Sequence, residues 1–374
     1  MSAKLQQRAD NAKYFALYFV VQQDKLNFAV MKKLVFLLFS VALLCGVTSC
    51  GRHEKRSLPD GFTTVCLIRT TPVKDQGRTA LGWVYAMMGT MESEHIMQGD
   101  SVNLSPYFFI RSLLSEQLRW HYLTASGDTL NLSGTPGMYI RLARKYGAMP
   151  YDSYFARQAV NMQVLCRKLL QTASVSTSLH MLDAQSGSVF DGNLGYLPLS
   201  VYMLGAEYTP VEFAHSMCAP DEYIGATSFT HHPFNQFYRL ETAGNTLGCS
   251  VMNVPIAQLM HHIKAALKHG HPVCWEGDTT EVGYHGAEGV ARCTQGNVSQ
   301  SGRQIKFERH LTTADHCMEL IGMARDARGC YYAIARNSMG TGYGFNGCVY
   351  MELNYLALNT IDVYMTREAW MLGE

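Results

Sequence analysis

The spacing of apolar residues in this chain has a helical period in the first part and a strand period in the last part. Between residues 82 and 97, large apolar side chains recur at steps of three and four, which predicts a helix. A second helix is expected after Ser105, because serine is a favoured capping residue and a proline follows it. Two more helical patterns cover residues 137–150 and 256–270, and glycine signals the end of each helix.

Beyond residue 270 the apolar segments become short and alternating, and Gly, Asn and Asp separate them, which is typical of β-strands. Five segments have this pattern: HPVCWEG (271–277), QIKFERH (304–310), HCMELIGMA (316–324), CYYAIARN (330–337) and GCVYMEL (347–353). Helices followed by strands predict an α+β protein with two lobes.

We expect a helical lobe at about residues 65–170 and a β lobe at about 251–374. Residues 171–250 lie between them and are rich in Gly, Ser, Pro and aromatic residues. This composition predicts an insertion of loops and short elements.

The N-terminal part has the pattern of an export signal rather than of a folded domain. Residues 31–50, MKKLVFLLFSVALLCGVTSC, combine a positive start, an apolar run and small residues before Cys50. The last four residues resemble a bacterial lipobox, which implies that Cys50 is lipidated and that the protein lies in the cell envelope, at the outer membrane or facing the periplasm. An uncleaved membrane anchor is the alternative. We interpret residues 1–30 as an overlong gene prediction and residues 51–64 as a tether.

Composition narrows the classes of partner. Apolar residues make up 47% of the chain, charged residues 16%, and the net charge is +1, which indicates a globular protein and gives no reason to expect a nucleic-acid partner. Apart from Cys45 and Cys50 in the signal, nine cysteines remain without CxxC spacing, so we expect no structural zinc site. Their number is odd, and we expect most of them to pack as small apolar side chains.

Three segments carry candidate chemistry. PVKDQG (72–77) precedes WVYA (83–86), ADHCMELIGMA covers residues 314–324, and ARNSMGTGYGFNGCVYM covers residues 335–351. Cysteine peptidases need a thiolate, a histidine that exchanges its proton, a group that orients the histidine, and donors for the developing oxyanion. In this order and spacing, the three segments resemble the papain-like cysteine peptidases, whose fold is α+β with a helical lobe, a β-barrel-like lobe and a cleft between them.

The resemblance implies a role for individual residues. Gln76 matches the oxyanion donor, His316 the catalytic histidine and Asn337 the residue that orients it. Trp83 matches the residue directly after the nucleophile, but Gly82 stands where the nucleophilic cysteine is expected.

A second departure from the family pattern lies beside the orienting asparagine. Met339 replaces the tryptophan that shields the Asn–His hydrogen bond from water in the family.

Several segments resemble more specifically the bleomycin hydrolase and aminopeptidase C branch, over about residues 66–370. They are KDQGRT (74–79), ESEHIMQGDSVNLSPYFF (92–109) and RKYGAMPYDSY (144–154). Members of that branch are often hexameric aminopeptidases whose C-terminal arm folds into the cleft, so a homo-oligomer is one expectation, although the tail here is short. Gly134 is expected to let the backbone of a bound peptide approach closely.

Other chemistry-bearing residues receive simpler interpretations. The pairs His231–His232 and His261–His262, with His269 and His271, suggest a metal site, but we find no carboxylate or cysteine that completes a set, and we expect neither a metal nor a cofactor. Glu276 and Asp278 form a possible carboxylate pair that a loop after a strand explains equally well. Cys317 follows His316 on a strand and is expected to point to the opposite face.

Glycine at position 82 cannot form a covalent intermediate. It leaves room for a water near His316, but water is a poor substitute for a thiolate. We therefore expect a cleft that binds peptides and barely cleaves them.

Two alternatives remain. In the first, position 82 is natively Cys and the protein is an active aminopeptidase or endopeptidase. In the second, the domain is a partner-binding envelope lipoprotein with an unused cleft. An open cleft with the site residues converging favours a peptidase-like site, and a cleft plugged by residues 171–250 favours the lipoprotein.

Overall fold

The computed structural model describes residues 61–127, 129–156, 158–203, 205–294 and 298–374. The expectations for residues 1–30, for the signal at 31–50 with Cys50, and for residues 51–60 lie outside the described residues. The tether predicted for residues 51–64 ends earlier than expected, because the first strand begins at Thr63.

Ten α-helices lie within the described residues. They are α1 (Gly82–Met97), α2 (Pro106–Thr124), α3 (Pro136–Tyr146), α4 (Met162–Val175), α5 (Leu179–Leu194), α6 (Pro210–Met217), α7 (Ile256–Lys268), α8 (Gln300–Glu308), α9 (Leu353–Asn359) and α10 (Arg367–Met371). Among these ten, no helix is both long and apolar enough to cross a bilayer.

Local capping defines where several helices begin. Ser105 accepts a hydrogen bond from the backbone N–H of Phe108, as the sequence predicts for α2. Thr209 and Glu212 form a reciprocal capping box at the start of α6.

Thirteen β-strands lie within the described residues. They are β1 (Thr63–Leu67), β2 (Val201–Met203), β3 (Ala206–Tyr208), β4 (Tyr223–Thr227), β5 (Gln236–Arg239), β6 (Ser250–Asn253), β7 (Val273–Gly277), β8 (Tyr284–His285), β9 (Val290–Ala291), β10 (His316–Arg325), β11 (Tyr331–Arg336), β12 (Cys348–Glu352) and β13 (Thr360–Thr366).

Eleven of these strands form one mixed sheet in the order β5-β6-β4-β13-β7-β10-β11-β12-β9-β8, with β1 paired to β10. Most neighbours are antiparallel, whereas β4–β6 and β9–β12 are parallel. The described strands form an open path rather than the barrel-like closure that we expected, and the α+β class is confirmed.

Two apolar cores give the molecule its lobes. One joins α1 to the other helices of the first half, and the second lies among the central strands, α7, α9 and α10. Helix α1 is buried from Gly82 to Glu94 and contacts both β7 and β10, so it lies between the helical lobe and the sheet.

Two expectations about local structure were wrong. Residues 171–250 contain the 16-residue helix α5 and two complete strands of the main sheet, β4 and β5, because β4 pairs with β13 deep in the core. Residues 304–310, expected as a strand, lie largely in α8. Ser299 caps that helix. The buried Arg303 donates to the carbonyl oxygens of Ser228 and Ala357, and no local pattern reveals these two contacts.

A buried network of charges connects the segment before α1, helix α1 itself and the sheet. Lys74 pairs with Glu92 of α1, whose carboxylate also accepts from the Thr71 hydroxyl and the Leu104 backbone N–H, each at 2.6 Å. Burial lowers the pKa of Lys74, and the charge of Glu92 opposes that shift.

The second half of this network lies on the sheet. Arg336 donates to Glu319 at 2.5 Å and to the carbonyl oxygen of Thr71 at 2.6 Å. Burial raises the pKa of Glu319, and the charge of Arg336 opposes that shift. Breaking either pair would leave an uncompensated buried charge, so the network fixes the segment before α1.

Gly89 of α1 makes room for this network. A Cβ on Gly89 would lie 2.3 Å from Nη2 of Arg336 and 2.9 Å from Oε2 of Glu319. We predict that Gly89→Ala lowers the free energy of unfolding by about 1–3 kcal/mol, the usual cost of overpacking a core. Urea unfolding followed by circular dichroism measures this change.

Gly187→Ala is the matched control, since Gly187 lies inside α5 and its Cβ would meet nothing within 4 Å. That variant should be more stable than the native protein by about 0.5–1 kcal/mol, because alanine favours helix. Equal effects of the two substitutions would contradict this account of Gly89.

A second buried polar group lies on the sheet face that packs against the helical lobe. Glu276 of β7 stands opposite Asp362 of β13 and Cys317 of β10, and both carboxyl groups are nearly inaccessible. Among the described residues, Oε2 of Glu276 and Oδ1 of Asp362 have no hydrogen-bond partner. Burial raises the pKa of Asp362 to about 7, and burial with the nearby Asp362 charge raises that of Glu276.

These raised pKa values predict that stability falls as pH rises. The folded protein retains protons that the unfolded chain loses near pH 4, so the stability contributed by Asp362 is lost between about pH 4 and about pH 7. In the double variant Glu276→Gln/Asp362→Asn, the fall in the free energy of unfolding with rising pH should be smaller by at least about 1.4 kcal/mol. This is the free energy that corresponds to a shift of one pKa unit.

Urea unfolding at a series of pH values tests this prediction. Asp183→Asn, which alters a half-exposed carboxylate on α5, is the control and should retain the native pH dependence. A double variant with the native slope would show that the pair does not titrate in this range.

Candidate active site

Gly82 is the first residue of α1 and is buried at the junction of the two lobes. Leu81 precedes the helix without a side-chain cap. The first backbone N–H groups of any helix lack acceptors within the helix, and the helix dipole makes this end favourable for negative charge. Position 82 therefore lies where a thiolate would be stabilised, although glycine supplies none.

A hydrogen bond joins the side chains of His316 and Asn337. His316 begins β10, Asn337 follows β11, and Nε2 of His316 lies 2.7 Å from Oδ1 of Asn337. The same oxygen accepts from the backbone N–H of Ser338 at 2.7 Å, which identifies it as the amide oxygen. His316 must then donate from Nε2, and the neutral ring keeps an unprotonated Nδ1.

This Nδ1 faces position 82. A Cβ built on Gly82 would lie 2.8 Å from Nδ1 of His316 and 3.3 Å from Oε1 of Gln76. The structure thus brings Gln76, His316 and Asn337 together around Gly82. The space freed by the missing side chain is narrower than expected, because the imidazole lies within the distance that a real Cβ would keep.

The Gln76 amide is turned away from the role that the sequence implied. Its Nε2 donates to the carbonyl oxygen of Thr79 at 2.7 Å, and its Oε1 accepts from the hydroxyl of Ser338 at 2.6 Å. The group that faces position 82 is therefore an acceptor, whereas an oxyanion needs donors.

Ser338 and Thr79 hold Gln76 in this orientation, although neither is among the residues predicted for the site. Ser338 lies in the motif around Asn337, and its backbone carbonyl oxygen also accepts from the backbone N–H of Gln76. The position of Ser338 directly after Asn337 was the one feature of the sequence that could have indicated its role. Thr79 offered no signal, because its contribution is a backbone carbonyl group.

Trp83 and Gly134 lie together beside the site. The indole of Trp83 donates to the carbonyl oxygen of Leu132 at 2.9 Å, and a Cβ on Gly134 would lie 2.5 Å from that ring. The absence of a side chain at Gly134 thus lets the loop contact Trp83. A role for either residue in substrate binding stays a prediction.

The other candidate residues lie apart from this group. Cys317 is buried next to Glu276, where burial raises the pKa of its thiol, so it is not a replacement nucleophile. Glu276 pairs across the sheet with Asp362 rather than acting with Asp278, which accepts from Thr280 and Thr313. Met339 remains 41% exposed beside the Asn337–His316 pair.

The statement that no carboxylate completes a set with His231 and His232 was wrong. Glu241 lies 3.3 Å from Nε2 of His231 and 2.6 Å from Nε2 of His232, and the three ligand atoms could surround a cation. However, Gln304 accepts from Thr230 N–H and donates to Nδ1 of His231, so Nε2 of the neutral His231 ring carries a proton. This tautomer favours a hydrogen bond to Glu241 over metal ligation at Nε2.

Three of the other candidate histidines have structural contacts. His262 stacks on Trp370 and its Nδ1 contacts the Trp370 carbonyl oxygen, while His271 pairs with Glu94 and His269 lies at the end of α7. All nine cysteines after Cys50 lie in the described residues, and seven of them are free thiols there: Cys66, Cys166, Cys218, Cys249, Cys274, Cys317 and Cys330.

The chemistry available at the site is that of a base without a nucleophile. Burial lowers the pKa of His316, and the hydrogen bond to Asn337 and the charge of Asp315 oppose that shift. Near neutral pH the ring can accept a proton at Nδ1, but nothing at position 82 can donate one or attack a carbonyl carbon.

Comparison with known proteins supports the fold. No family model matches the chain, and no curated protein resembles it at a significant level. Among solved structures, PepW from Lactobacillus rhamnosis HN001 superposes with a TM-score of 0.60 at 16% identity, over 88% of each chain. The fold is therefore the α+β papain-like fold, and at this identity the likeness extends to the fold alone.

Two further solved structures align less well. The structure described for the mite allergens Blo t 1 and Der p 1 gives a TM-score of 0.43 at 19% identity over 84% of this chain and 73% of the other. Xylellain, a cysteine protease from Xylella fastidiosa, gives 0.41 at 13% identity over 83% and 86%. Neither likeness is strong enough to carry an argument.

We predict that neutral His316 carries its proton on Nε2 and titrates below its usual pKa of about 6.5. Two-dimensional NMR with ¹⁵N-labelled histidine distinguishes the tautomers. Asn337→Ala should lower the pKa further and mix the tautomers, because it removes the bond that favours the charged ring. Asn193→Ala on α5 is the control, and a native Nδ1–H tautomer would contradict the assignment.

Proposed function

We propose that this protein is a catalytically impaired papain-like cysteine peptidase homologue that retains a peptide-binding cleft. The observation that carries the proposal is the convergence of Gln76, His316 and Asn337 on a glycine at the start of a buried helix. The histidine and its orienting residue are in place, and the nucleophile is not.

Two features beyond the glycine support impairment. The amide of Gln76 presents Oε1 toward position 82, which would repel a developing oxyanion. The imidazole of His316 lies too close to position 82 for a side chain to be added without movement. An active enzyme with cysteine at this position remains the alternative, and it requires the ring to lie elsewhere.

The aminopeptidase C branch receives less support than the superfamily. In that branch the C-terminal arm enters the cleft. Here Arg367 donates to the carbonyl oxygens of residues 221 and 222, and Trp370 stacks on His262 of α7. We therefore propose no exopeptidase specificity for the ancestral site.

A partner-binding role is the second candidate, and one contact favours it. A Cβ on Gly244 would lie 3.4 Å from the carbonyl oxygen of Gly134, so the turn around residue 244 packs against the loop expected to receive a peptide backbone. This turn belongs to residues 171–250, the segment whose entry into the cleft was expected to favour a binding protein. We also propose envelope localisation through lipidation of Cys50, which rests on the sequence of residues 31–50.

Peptide hydrolysis and peptide binding by the full chain test the main proposal. Gly82→Cys should cleave internally quenched peptides at least about 100-fold faster than the native protein, and a thiol-directed inhibitor should block it. The gain should stay below that of a complete site, since a nucleophile alone is worth about 10⁶ in turnover in a serine peptidase and His316 must move here.

Two control variants separate chemistry from steric effects. Gly82→Ala adds the same Cβ without a thiol and should remain inactive, and Gly82→Cys/His316→Ala should lose the gained activity. Native cleavage that resists the inhibitor would overturn the proposed impairment. Absence of both peptide binding and cleavage in all variants would instead favour the partner-binding role.

A further inference from the structure

A cavity of about 570 Å³ lies between helix α3 and the sheet, formed by residues other than those that converge on Gly82. One wall is a single face of α3, where Gly137, Ile140, Arg141, Arg144 and Lys145 follow each other at helical spacing. The opposite wall comes from the ends of β4, β6 and β13 and from residues 220–221. The volume is typical of sites that bind small molecules.

Three arginines at this cavity are held in place by hydrogen bonds to backbone carbonyl oxygens, which do not neutralise their charge. Arg141 donates to the carbonyl oxygen of Leu247 at 2.6 Å, and Arg144 donates to that of Pro220 at 3.1 Å. Arg367 donates to the carbonyl oxygen of Asp221 at 2.6 Å. Two of these acceptors, Pro220 and Asp221, themselves line the cavity, so the guanidinium groups of Arg144 and Arg367 lie at its wall.

The charges of these arginines have no partner among the described residues. None of the three forms an ion pair there, whereas Lys145 on the same face pairs with Glu116. A guanidinium has five N–H groups, so each arginine keeps donors after its bond to a carbonyl oxygen. With Asp221 as the one lining carboxylate, the three arginines leave a local charge of about +2.

The rest of the wall is apolar. Ile140, Ile224 and the ring of Phe237 line the same cavity, and Phe237 is 52% exposed although it lies beside these cationic groups. Tyr364 closes the interior end, because its hydroxyl lies against Gly137 at 2.4 Å from the position of a Cβ. A ligand that fits this wall carries both negative charge and an apolar group.

We propose that this cavity binds a small organic dianion, a phosphate monoester with an apolar or aromatic group. Arginine binds phosphate through paired N–H groups, which suits guanidiniums that are already fixed by one bond each. The apolar group would lie against Phe237 and Ile224 while the phosphate contacts Arg144 and Arg367. The ligand would then connect α3 of the helical lobe to the sheet, independently of the site at Gly82.

Isothermal titration of the full chain with three probes tests this proposal. Phenyl phosphate should bind more tightly than inorganic phosphate, which lacks the apolar group, and than phenol, which lacks the charge. Arg144→Gln and Arg367→Gln should each raise the dissociation constant of phenyl phosphate about tenfold or more, because each removes a charged hydrogen-bond donor.

Arg119→Gln is the matched control, since it removes one positive charge from α2, where Arg119 pairs with Asp183. It should leave the affinity unchanged, and circular dichroism should show native helix content in every variant. Absence of phenyl phosphate binding to the native protein would overturn the proposal, as would equal effects of Arg119→Gln and Arg144→Gln. Binding of phenol as tight as that of phenyl phosphate would also overturn it, since the arginines would then have no role. These readouts do not depend on peptide binding or cleavage, so this proposal and the proposed function fail separately.

Discussion

The buried charge network of Lys74, Glu92, Glu319 and Arg336 determines the geometry of the candidate site. It joins the segment before α1 to α1 and to the two central strands β10 and β11. A buried charge is tolerated only when an opposite charge lies beside it. The segment before α1, α1 itself and the two strands are therefore held in one position relative to each other. Because Gln76, Gly82, His316 and Asn337 lie on or next to the same elements, their convergence follows from that constraint, with Gly89 providing the space.

The missing side chain at position 82 affects more than the nucleophile. The imidazole of His316 approaches within 2.8 Å of the place that a Cβ would occupy, and the acceptor end of Gln76 lies 3.3 Å from it. The hydrogen bonds of Gln76 to Thr79 and Ser338 are all satisfied within the protein, so its orientation does not depend on a substrate. The impairment that we propose would thus involve the positions of the base, the oxyanion donor and the nucleophile together.

Some helices and strands were predictable because contacts between residues close in sequence define them. Others depend on contacts between residues that are distant in sequence. The start of α2 was predictable because Ser105 caps it through a contact three residues away. The segment 304–310 looked like a strand from its alternating pattern, yet it lies largely in α8. Ser299 caps this helix, and Arg303 within it donates to carbonyl oxygens 54 and 75 residues away in sequence. The strands within residues 171–250 were missed for the same reason, since β4 is stabilised by pairing with β13 near the end of the chain.

The sequence by itself determined the α+β class, the order of the site segments and the presence of glycine where a nucleophile is expected, because these depend on residue type and spacing. It also indicated that His316 and Cys317 point to opposite faces, since side chains alternate along a strand. Only the tertiary structure decided which end of the Gln76 amide faces position 82, that Glu241 joins His231 and His232, and that three arginines surround one cavity. The reason is that hydrogen-bond direction, charge pairing and cavity shape arise from contacts between residues distant in sequence.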